Sequence, residues 1–452
     1  MSERAVSARA GADRERVLDH VTCLGCGCAC DDIRVVVRDG RIVQTERACP
    51  LGATWFGDGV VPARAAVAGR GSTLEVALDR AAAVLADAVR PLVYVAPSLS
   101  CDAQRAAVAI ADVLGSRLDS VTSATARTAT LAAQRRGRAG ATLGEIRNRA
   151  DLVIFWGVDP GARYPRFGER YAPDPVGTAV PAGRAGRRVV AVDVGAARGY
   201  AAADERLTVP AENESAVLAA LRATLLAGDR GALLAGPGAP GAELARVLAR
   251  RITEARYVAV VYDGEAADAG ARAEGLIVLA QAANGPTRCA LVALRGGGNR
   301  SGADAVFTWQ TGYPMAVDFA RGAPSYDAAH ADAAAQADHD AVLLVGDAAA
   351  VPVKVAALLA SAECLCVTVG PFATAVTPTP EVAVDVGLPG VHEGGMALRM
   401  DDVPLPLTPP LPGVVPEGGV VLTALAARLR ERAGRVAGAV AGVAAEVAGG
   451  AA

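Results

Sequence analysis

The chain has 452 residues, of which 52% are hydrophobic and 21% are charged, and its formal net charge is −3 at pH 7. At about 150 residues per domain, this length predicts roughly three domains with well-developed cores. The apolar content excludes a disordered chain, and the balanced charge argues against a large basic surface for nucleic acid. Lys354, which follows a valine, is the only lysine. The Gly-Lys pair of a Walker A loop is therefore excluded.

No segment of the sequence predicts a membrane span, because several arginines and a glutamate interrupt the Ala/Val/Gly-rich C-terminal tail. The first 20 residues are polar and lack the apolar stretch of a signal peptide. We therefore expect a cytoplasmic protein. In a reducing compartment, clustered cysteines are more typical of metal ligands than of disulfides.

Five of the nine cysteines lie close together near the N-terminus. They are Cys23, Cys26, Cys28, Cys30 and Cys49. The first, second and fourth have the spacing C-x2-C-x3-C, and the last follows after 18 intervening residues. The β-branched runs 33–37 and 41–45 flank Asp39-Gly40, a pair that strongly indicates a hairpin. Such a hairpin would carry Cys49 back toward the other cysteines.

The spacing is compatible with three kinds of site. A [4Fe–4S] cluster needs four cysteine ligands, and three nearby thiolates with a distant fourth suit it best. A structural zinc site usually shows two C-x2-C pairs, whereas Cys49 has no cysteine two or three residues away. Disulfides, or cysteines that bind nothing, are the third alternative.

Beyond the cysteine region, apolar runs alternate with helical patterns. Strands are predicted at Pro91–Ala96, Asp151–Trp156, Arg187–Asp193, Tyr257–Tyr262, Cys289–Leu294, Ala341–Val345 and Leu365–Val369. Helices are predicted at Leu74–Val89, Asp102–Leu114, Asn213–Leu226, Ala271–Ala283 and Val353–Leu359. This alternation is typical of parallel βαβ units, which bind ligands at the carboxyl ends of their strands. Those ends are Pro97–Cys101, Gly157–Arg166, Asp193–Gly195, Arg295–Asn299 and Gly346–Asp347. No G-x-G-x-x-G follows the first strand, which disfavours an ordinary NAD-binding domain.

Cys101 lies in the sequence PSLSCDAQ, after a predicted strand and at the start of a predicted helix. A helix N-terminus stabilises a thiolate, so this position is compatible with a metal ligand or a nucleophile. An ordinary buried cysteine explains the position equally well. Cys289, Cys364 and Cys366 lie in apolar strands and are predicted to be core residues.

Taken together, these segments resemble the B subunit of formylmethanofuran dehydrogenase, a family of molybdopterin-dependent oxidoreductases. The resemblance is carried by CLGCGCACDDI, PSLSCDAQ, ADLVIFWG, RRVVAVD, LRGGGNRSGADAVFTWQTGYPMAVDFARG and VHEGGMALRMDDVPLPL. These motifs run in order from about residue 20 to about residue 408, and residues 302–322 are the most specific part.

The resemblance implies an α/β fold without the C-terminal barrel of related oxidoreductases, because the barrel is a separate subunit in this family. A small cysteine-rich β-hairpin domain for a [4Fe–4S] cluster would precede doubly wound parallel-sheet domains. The implied divisions are 1–60 for the cluster domain, 61–175 with 300–408 for a discontinuous pterin-binding domain, 176–299 for an inserted Rossmann-like domain, and 409–452 for a Pro/Gly linker and an Ala-rich helix.

The resemblance also implies a set of site residues. Cys23, Cys26, Cys30 and Cys49 match the ligands of the [4Fe–4S] cluster, and Cys101 matches the cysteine that binds tungsten or molybdenum. Two molybdopterin guanine dinucleotides would hold that metal at the strand ends. The expected cofactor-binding residues are Gly157, Asp159, Asp193, Gly297, Asn299, Gly346 and Asp347. The expected catalytic residues are Cys101, Asp102 and Arg295, with Arg300 and Arg166 as further candidates for an arginine that orients a carboxylate.

The implied activity is the interconversion of CO2 and formate, after which an amidohydrolase-like partner transfers the one-carbon unit to a methanofuran-type carrier. A barrel-type D subunit and a C-type subunit are further implied partners. Two positions depart from the family pattern, since Asp102 replaces an expected histidine and Leu51 an expected basic residue. The alternative is a non-redox scaffold subunit of a bacterial formyltransferase/hydrolase complex.

Overall fold

The computed structural model describes residues 15–228, 241–266, 269–326 and 338–449. The strands in these ranges are β1 (Arg16–Val21), β2 (Ile33–Arg38), β3 (Arg41–Glu46), β4 (Ala65–Val67), β5 (Arg70–Ser72), β6 (Pro91–Val95), β7 (Arg117–Ser120), β8 (Leu152–Trp156), β9 (Arg188–Val194), β10 (Glu205–Val209), β11 (Tyr257–Asp263), β12 (Arg288–Leu294), β13 (Val317–Asp318), β14 (Ser325–Tyr326), β15 (Ala341–Val345), β16 (Leu365–Gly370), β17 (Val382–Asp385), β18 (Gly395–Leu398) and β19 (Pro404–Leu407).

The α-helices in the same ranges are α1 (Pro50–Phe56), α2 (Leu74–Asp87), α3 (Cys101–Leu114), α4 (Val121–Thr125), α5 (Arg127–Arg136), α6 (Leu143–Arg149), α7 (Phe167–Arg170), α8 (Glu214–Ala227), α9 (Ala242–Glu254), α10 (Ala269–Ala283), α11 (Arg300–Thr311), α12 (Val353–Leu359) and α13 (Gly418–Gly449). Across the described residues, no helix is both long enough and apolar enough to span a membrane.

The N-terminal strands β1, β2 and β3 form a three-stranded antiparallel sheet in sequence order. The expected hairpin is present, because Arg38 pairs with Arg41 across the turn Asp39-Gly40. The φ angles of these two turn residues are 50° and 71°. Positive φ at both positions is the geometry that Asp-Gly favours in a two-residue hairpin turn.

The largest sheet has nine strands in the order β14-β13-β7-β6-β15-β16-β17-β4-β5. Its five central strands, from β7 to β17, are parallel, and antiparallel strands flank them on both edges. Alternate residues of β6 join different hydrophobic cores: Val93 and Val95 pack in one, Leu92 and Tyr94 in the other. The sheet is therefore buried on both faces, as a parallel sheet requires.

The second large sheet consists of five parallel strands in the order β10-β9-β8-β11-β12. The expected α/β class with parallel sheets is thus confirmed. The predicted boundary at residue 176 assigned β8 to the pterin-binding domain, but β8 lies at the centre of this second sheet. A run of five apolar residues indicates burial on both faces, yet it does not show which sheet the strand joins.

Each large sheet has a point where the strand order reverses. In the nine-stranded sheet this point lies between β6 and β15, and in the five-stranded sheet it lies between β8 and β11. Ligands of open α/β sheets bind beyond the carboxyl ends of the strands at such points. The segments that follow are 97–101 with 346–347 in the first sheet, and 157–166 with 264–266 in the second.

Arg187 joins the second sheet to the surrounding loops. It immediately precedes β9, is 3% exposed, and donates hydrogen bonds to the carbonyl oxygens of Ala150 at 3.0 Å and Pro173 at 2.9 Å. Its guanidinium also bonds to the carbonyls of Pro175 and Arg147. One buried side chain therefore donates to four backbone carbonyl groups.

We expect Arg187→Met to lower the free energy of unfolding by about 3 kcal/mol, because it leaves these buried carbonyls without donors. Arg188→Met is the matched control, since the neighbouring side chain is exposed and its loss should cost less than about 0.5 kcal/mol. Urea unfolding followed by circular dichroism measures both values. Equal midpoints for the two variants would contradict this role for Arg187.

Candidate functional site

The cysteine region is a compact loop between β1 and β2, closed by α1. The backbone N–H of Cys23 donates to the carbonyl of Cys30 at 2.8 Å, and the N–H of Ala29 donates to the carbonyl of Cys26 at 3.1 Å. Cys49 precedes α1 and caps its first turn, because its carbonyl accepts from Ala53 at 2.8 Å. The loop is therefore held by its own backbone hydrogen bonds, and α1 begins directly after Cys49.

The structure brings Cys49 next to the cysteines of the loop. A Cβ atom placed on Gly52 would lie 3.3 Å from Sγ of Cys23 and 3.9 Å from Sγ of Cys49, so the two sulfurs border the same point of α1. The N–H of Gly25 donates to Sγ of Cys23 at 3.4 Å. Backbone N–H groups directed at cysteine sulfur are a feature of iron–sulfur sites.

The electrostatics of Cys23 identify its neighbours. Burial raises the pKa of its thiol well above the ordinary value, against the hydrogen bond from Gly25. The thiols of Cys30, Cys26 and Cys49 raise this pKa further. All four predicted ligands therefore lie in one electrostatic neighbourhood, and the first three are less than 10% exposed.

Among the residues that the structure describes, no three His, Cys, Asp or Glu side chains are close enough to hold one metal ion. The chemistry of the donors is therefore what can be compared with a cluster. A four-iron cluster is held by four cysteine thiolates, and hydrogen bonds to its sulfurs influence its properties. Buried cysteines with a backbone donor on Sγ of Cys23 are a donor set that suits such a cluster.

Two arginines from α7 and the residue before it hold the cysteine loop through its acidic end. Arg166 binds Asp32 with both Nη atoms, at 2.7 and 2.8 Å. Arg170 binds Asp31 at 2.6 Å and also contacts Asp32. Sequence reasoning named Arg166 only as a substrate arginine and missed this contact, because 134 residues separate Arg166 from Asp32.

The same arginines act on the cysteines. Burial raises the pKa of Cys30 to about 12, although the charges of Arg170 and Arg166 oppose that rise. Burial also favours a neutral Asp32, but the hydrogen bond from Arg166 and the charges of both arginines outweigh it and lower the pKa of Asp32. Asp32 is therefore a carboxylate at neutral pH, and its contacts with Arg166 and Arg170 remain ion pairs.

Cys101 lies in a separate and fully packed environment. It is the first residue of α3, is 2% exposed, and has its Sγ 3.5 Å from Nδ2 of Asn299. Burial raises the pKa of its thiol, against the hydrogen bond from Asn299. The same amide donates to the carbonyl of Leu99 at 2.9 Å, and its Oδ1 accepts from Leu398 at 2.8 Å. Both polar atoms of the Asn299 amide are therefore hydrogen-bonded to protein groups.

The strand ends around Cys101 bond directly to one another. The N–H of Gly298 donates to the carbonyl of Leu24, the N–H of Ser98 to the carbonyl of Gly298, and the N–H of Asp347 to the carbonyl of Pro97, each at 2.8 Å. A Cβ on Gly297 would lie 2.4 Å from the carbonyl oxygen of Leu24. The reversal point between β6 and β15 is thus closed by backbone contacts.

A buried carboxylate that sequence reasoning missed closes the other side of Cys101. Glu393 is 3% exposed and accepts hydrogen bonds from Oγ of Ser100 at 2.5 Å and from the N–H of Gly418 at 2.9 Å. It thereby joins the start of α13 to the start of α3. In the sequence, the only indication of a role for Glu393 is its place in the motif VHEGG. Asp102 is exposed beside it and borders a surface cavity of about 690 Å³.

The predicted arginines near β12 are engaged with protein acids. Nη2 of Arg295 donates to Oγ1 of Thr122 at 2.9 Å, and its Nη1 contacts Asp304. Arg300 donates to Glu265 at 3.0 Å. These side chains form a network of alternating charge at the end of β12, made of Arg295, Arg300, Asp304 and Glu265.

The remaining predicted cofactor residues make structural bonds at the ends of β8, β9 and β15. The N–H of Gly157 donates to Val192 at 2.7 Å, and Asp159 accepts from the N–H groups of Gly161 and Ala201, each at 2.8 Å. Asp193 accepts from Gly199 at 2.8 Å and from Arg206 at 2.5 Å. Gly346 has a φ of 102° and donates to Val369 at 2.9 Å.

The two expected cofactors therefore differ in how well the residues fit them. The cysteine loop offers grouped thiols, a backbone donor and basic neighbours, which suit a [4Fe–4S] cluster. The residues at Cys101 do not fit a tungsten or molybdenum centre with two pterin dinucleotides, because the sulfur is enclosed and the expected binding loops bond to each other.

Comparison with known proteins gives similar chains of two kinds. The chain is 30% identical over 440 residues to the B subunit of tungsten-containing formylmethanofuran dehydrogenase 2 from Methanocaldococcus jannaschii, covering 92% of this chain and 99% of the relative. It is 29% identical over 413 residues to the protein of the same name from Methanococcus maripaludis, covering 86% and 93%. No family model matches the chain.

Among solved structures, the chain resembles one chain of the formyltransferase/hydrolase complex FhcABCD from Methylorubrum extorquens, determined with methylofuran. The TM-score is 0.66 at 25% identity, and the match covers 81% of this chain and 99% of that chain. Since the 30% identity to the first relative extends over nearly the full length of both chains, this protein belongs to the family of formylmethanofuran dehydrogenase B subunits.

Proposed function

We propose that this chain is a cluster-bearing B subunit of a complex that transfers one-carbon units to or from a methanofuran-type carrier. Cys23, Cys26, Cys30 and Cys49 hold a [4Fe–4S] cluster, which supplies one-electron transfer when bound. The observation that carries the proposal is the grouping of these four thiols by the β2–β3 hairpin and α1. Similarity to named B subunits over nearly the whole chain supports the same role.

In this proposal the chain's own residues shield and orient the cluster. The loop cysteines are buried, whereas Cys49 is partly exposed, so electrons enter or leave on the side of α1. The N–H of Gly25 stabilises the negative charge on Sγ of Cys23. Arg166 and Arg170 add positive charge beside the loop, where Leu51 offers none.

Tungsten chemistry is the part of the family's activity that the geometry supports least. The two curated relatives are named as tungsten-containing, and the resemblance implies CO2 and formate as substrates at a metal on Cys101. The buried sulfur of Cys101, with its hydrogen bond from Asn299, does not fit that centre. We therefore assign no catalytic step to Cys101, Asp102 or Arg295.

A non-redox scaffold subunit is the second candidate. The closed strand ends around Cys101 favour it, as does the similarity to a chain of a formyltransferase/hydrolase complex. In both candidates the partners are amidohydrolase-like, barrel-type D and C-type subunits, and the amidohydrolase-like subunit performs the transfer of the one-carbon unit to the carrier. The candidates differ in one property, because a pure scaffold needs no iron.

Metal and sulfide analysis of the native complex, purified without oxygen, separates the candidates. We expect about four irons and four acid-labile sulfides per chain. We also expect tungsten, molybdenum and GMP released from pterin dinucleotide to be far below one per chain, because Cys101 is enclosed.

Each other result has a definite meaning. Stoichiometric tungsten or molybdenum with released GMP would contradict the conclusion that Cys101 does not bind a metal, and would support a complete dehydrogenase subunit. Absence of iron and sulfide would support the non-redox scaffold subunit. Stoichiometric zinc without sulfide would instead establish a zinc site.

We expect Cys49→Ser to lose most of the bound iron and the electron paramagnetic resonance signal of the reduced cluster, because it removes the ligand that closes the site. Cys28→Ser is the matched control, since Cys28 lies in the same loop, is fully buried, and is not a proposed ligand. Equal iron loss in both variants would mean that the loop, rather than the ligand, had failed.

A further inference from the structure

The charged side chains around the cysteine loop bear on the reduction potential of the proposed cluster. A [4Fe–4S] cluster with four thiolate ligands is anionic and gains a further negative charge on reduction, so nearby charges set its reduction potential. The loop itself ends in two acids, Asp31 and Asp32. Leu51, beside the last cluster cysteine, is uncharged. Any positive charge that acts on the loop from close by therefore comes from another part of the chain.

The arginines of the small sheet do not supply it. Arg34, Arg38, Arg41 and Arg47 all form ion pairs with acids of the same N-terminal region, such as Asp19, Glu15 and Asp58. Their side chains are 42–61% exposed. Exposed charges are screened by water and salt, so their influence on a buried cluster is small.

Arg166 and Arg170 are placed differently. Their side chains are only 12% and 16% exposed, and they reach the loop from the α/β part of the chain. Arg166 forms a two-bond pair with Asp32, which fixes the plane of its guanidinium. Partly buried charges held in one geometry act more strongly than surface charges.

Tyr171 contacts both the cysteine loop and the guanidinium group of Arg170. Its hydroxyl donates to the carbonyl of Cys28 at 3.3 Å, so the residue after Arg170 bonds directly to the cysteine loop. The guanidinium groups of Arg170 and Arg399 lie 5.4 and 5.5 Å from the centre of its ring. The loop backbone and the two charged pairs are therefore parts of one contact between the cysteine region and α7.

We infer that Arg166 and Arg170 are positioning residues that set the reduction potential of the cluster, in opposition to Asp31 and Asp32. This inference rests on the proposed [4Fe–4S] cluster. The arginines favour the more negative, reduced cluster, and the two carboxylates disfavour it. The potential follows from the balance between the pairs.

The test is a redox titration of the native complex, monitored by electron paramagnetic resonance, with iron content measured for every variant. We expect Arg170→Gln and Arg166→Gln to lower the midpoint potential, and Asp32→Asn to raise it. Arg170→Lys keeps the charge and should retain most of the wild-type potential. Arg41→Gln, on an exposed pair of the small sheet, is the control and should leave the potential unchanged.

The expected shifts in midpoint potential have opposite signs, and this distinguishes an electrostatic role from a merely structural one. If the ion pairs of Arg166 and Arg170 only hold the loop in place, Arg170→Gln and Asp32→Asn break the same pair and shift the potential in the same direction. That result, or unchanged potentials in iron-replete variants, overturns the inference. If the wild-type complex contains no iron and no sulfide, the proposed function is wrong, and the inference about the potential does not apply.

Discussion

Backbone hydrogen bonds between the cysteine loop and the strand ends determine how the parts of this molecule fit together. Leu24 accepts from Gly298, Gly298 accepts from Ser98, and Pro97 accepts from Asp347, each at 2.8 Å. These bonds join the N-terminal region to the ends of β12, β6 and β15. They allow no side chain at Gly297, where a Cβ would collide with the carbonyl of Leu24. The run LRGGGN therefore serves close packing of backbone against backbone.

This packing explains why Cys101 is a core residue in the present structure. Its place at the reversal point of a parallel sheet is where ligands of such folds bind. The amide of Asn299 nevertheless satisfies the sulfur, and Glu393 ties α3 to the start of α13. Opening the site would break several buried hydrogen bonds at once, each costing free energy unless a ligand replaced it. The same position in the fold can thus hold a cofactor or a sealed core, depending on its neighbours.

The sequence predicted what periodicity and turn chemistry determine locally. The Asp39-Gly40 hairpin, the buried parallel strands and the α/β class follow from such patterns. The sheet to which β8 belongs did not follow, since an apolar run carries no information about its partners. Contacts between distant residues were also out of reach. Arg166 with Asp32 and Glu393 with Ser100 are separated by 134 and 293 residues, and neither pair leaves a local signal.

The cysteine loop and Cys101 rest on different supports, so one can change without the other. The loop depends on the hairpin, on α1 and on the Arg166 and Arg170 clamp, while Cys101 depends on Asn299 and the α3–α13 contact. They share the backbone hydrogen bond from Gly298 to Leu24, which fixes their relative position. Loss of a metal centre at Cys101 would leave the ligands and charges of the cysteine loop in place. The packing around Cys101 and the packing of the cysteine loop are therefore separable in this fold, because each depends on its own set of hydrogen bonds and ion pairs.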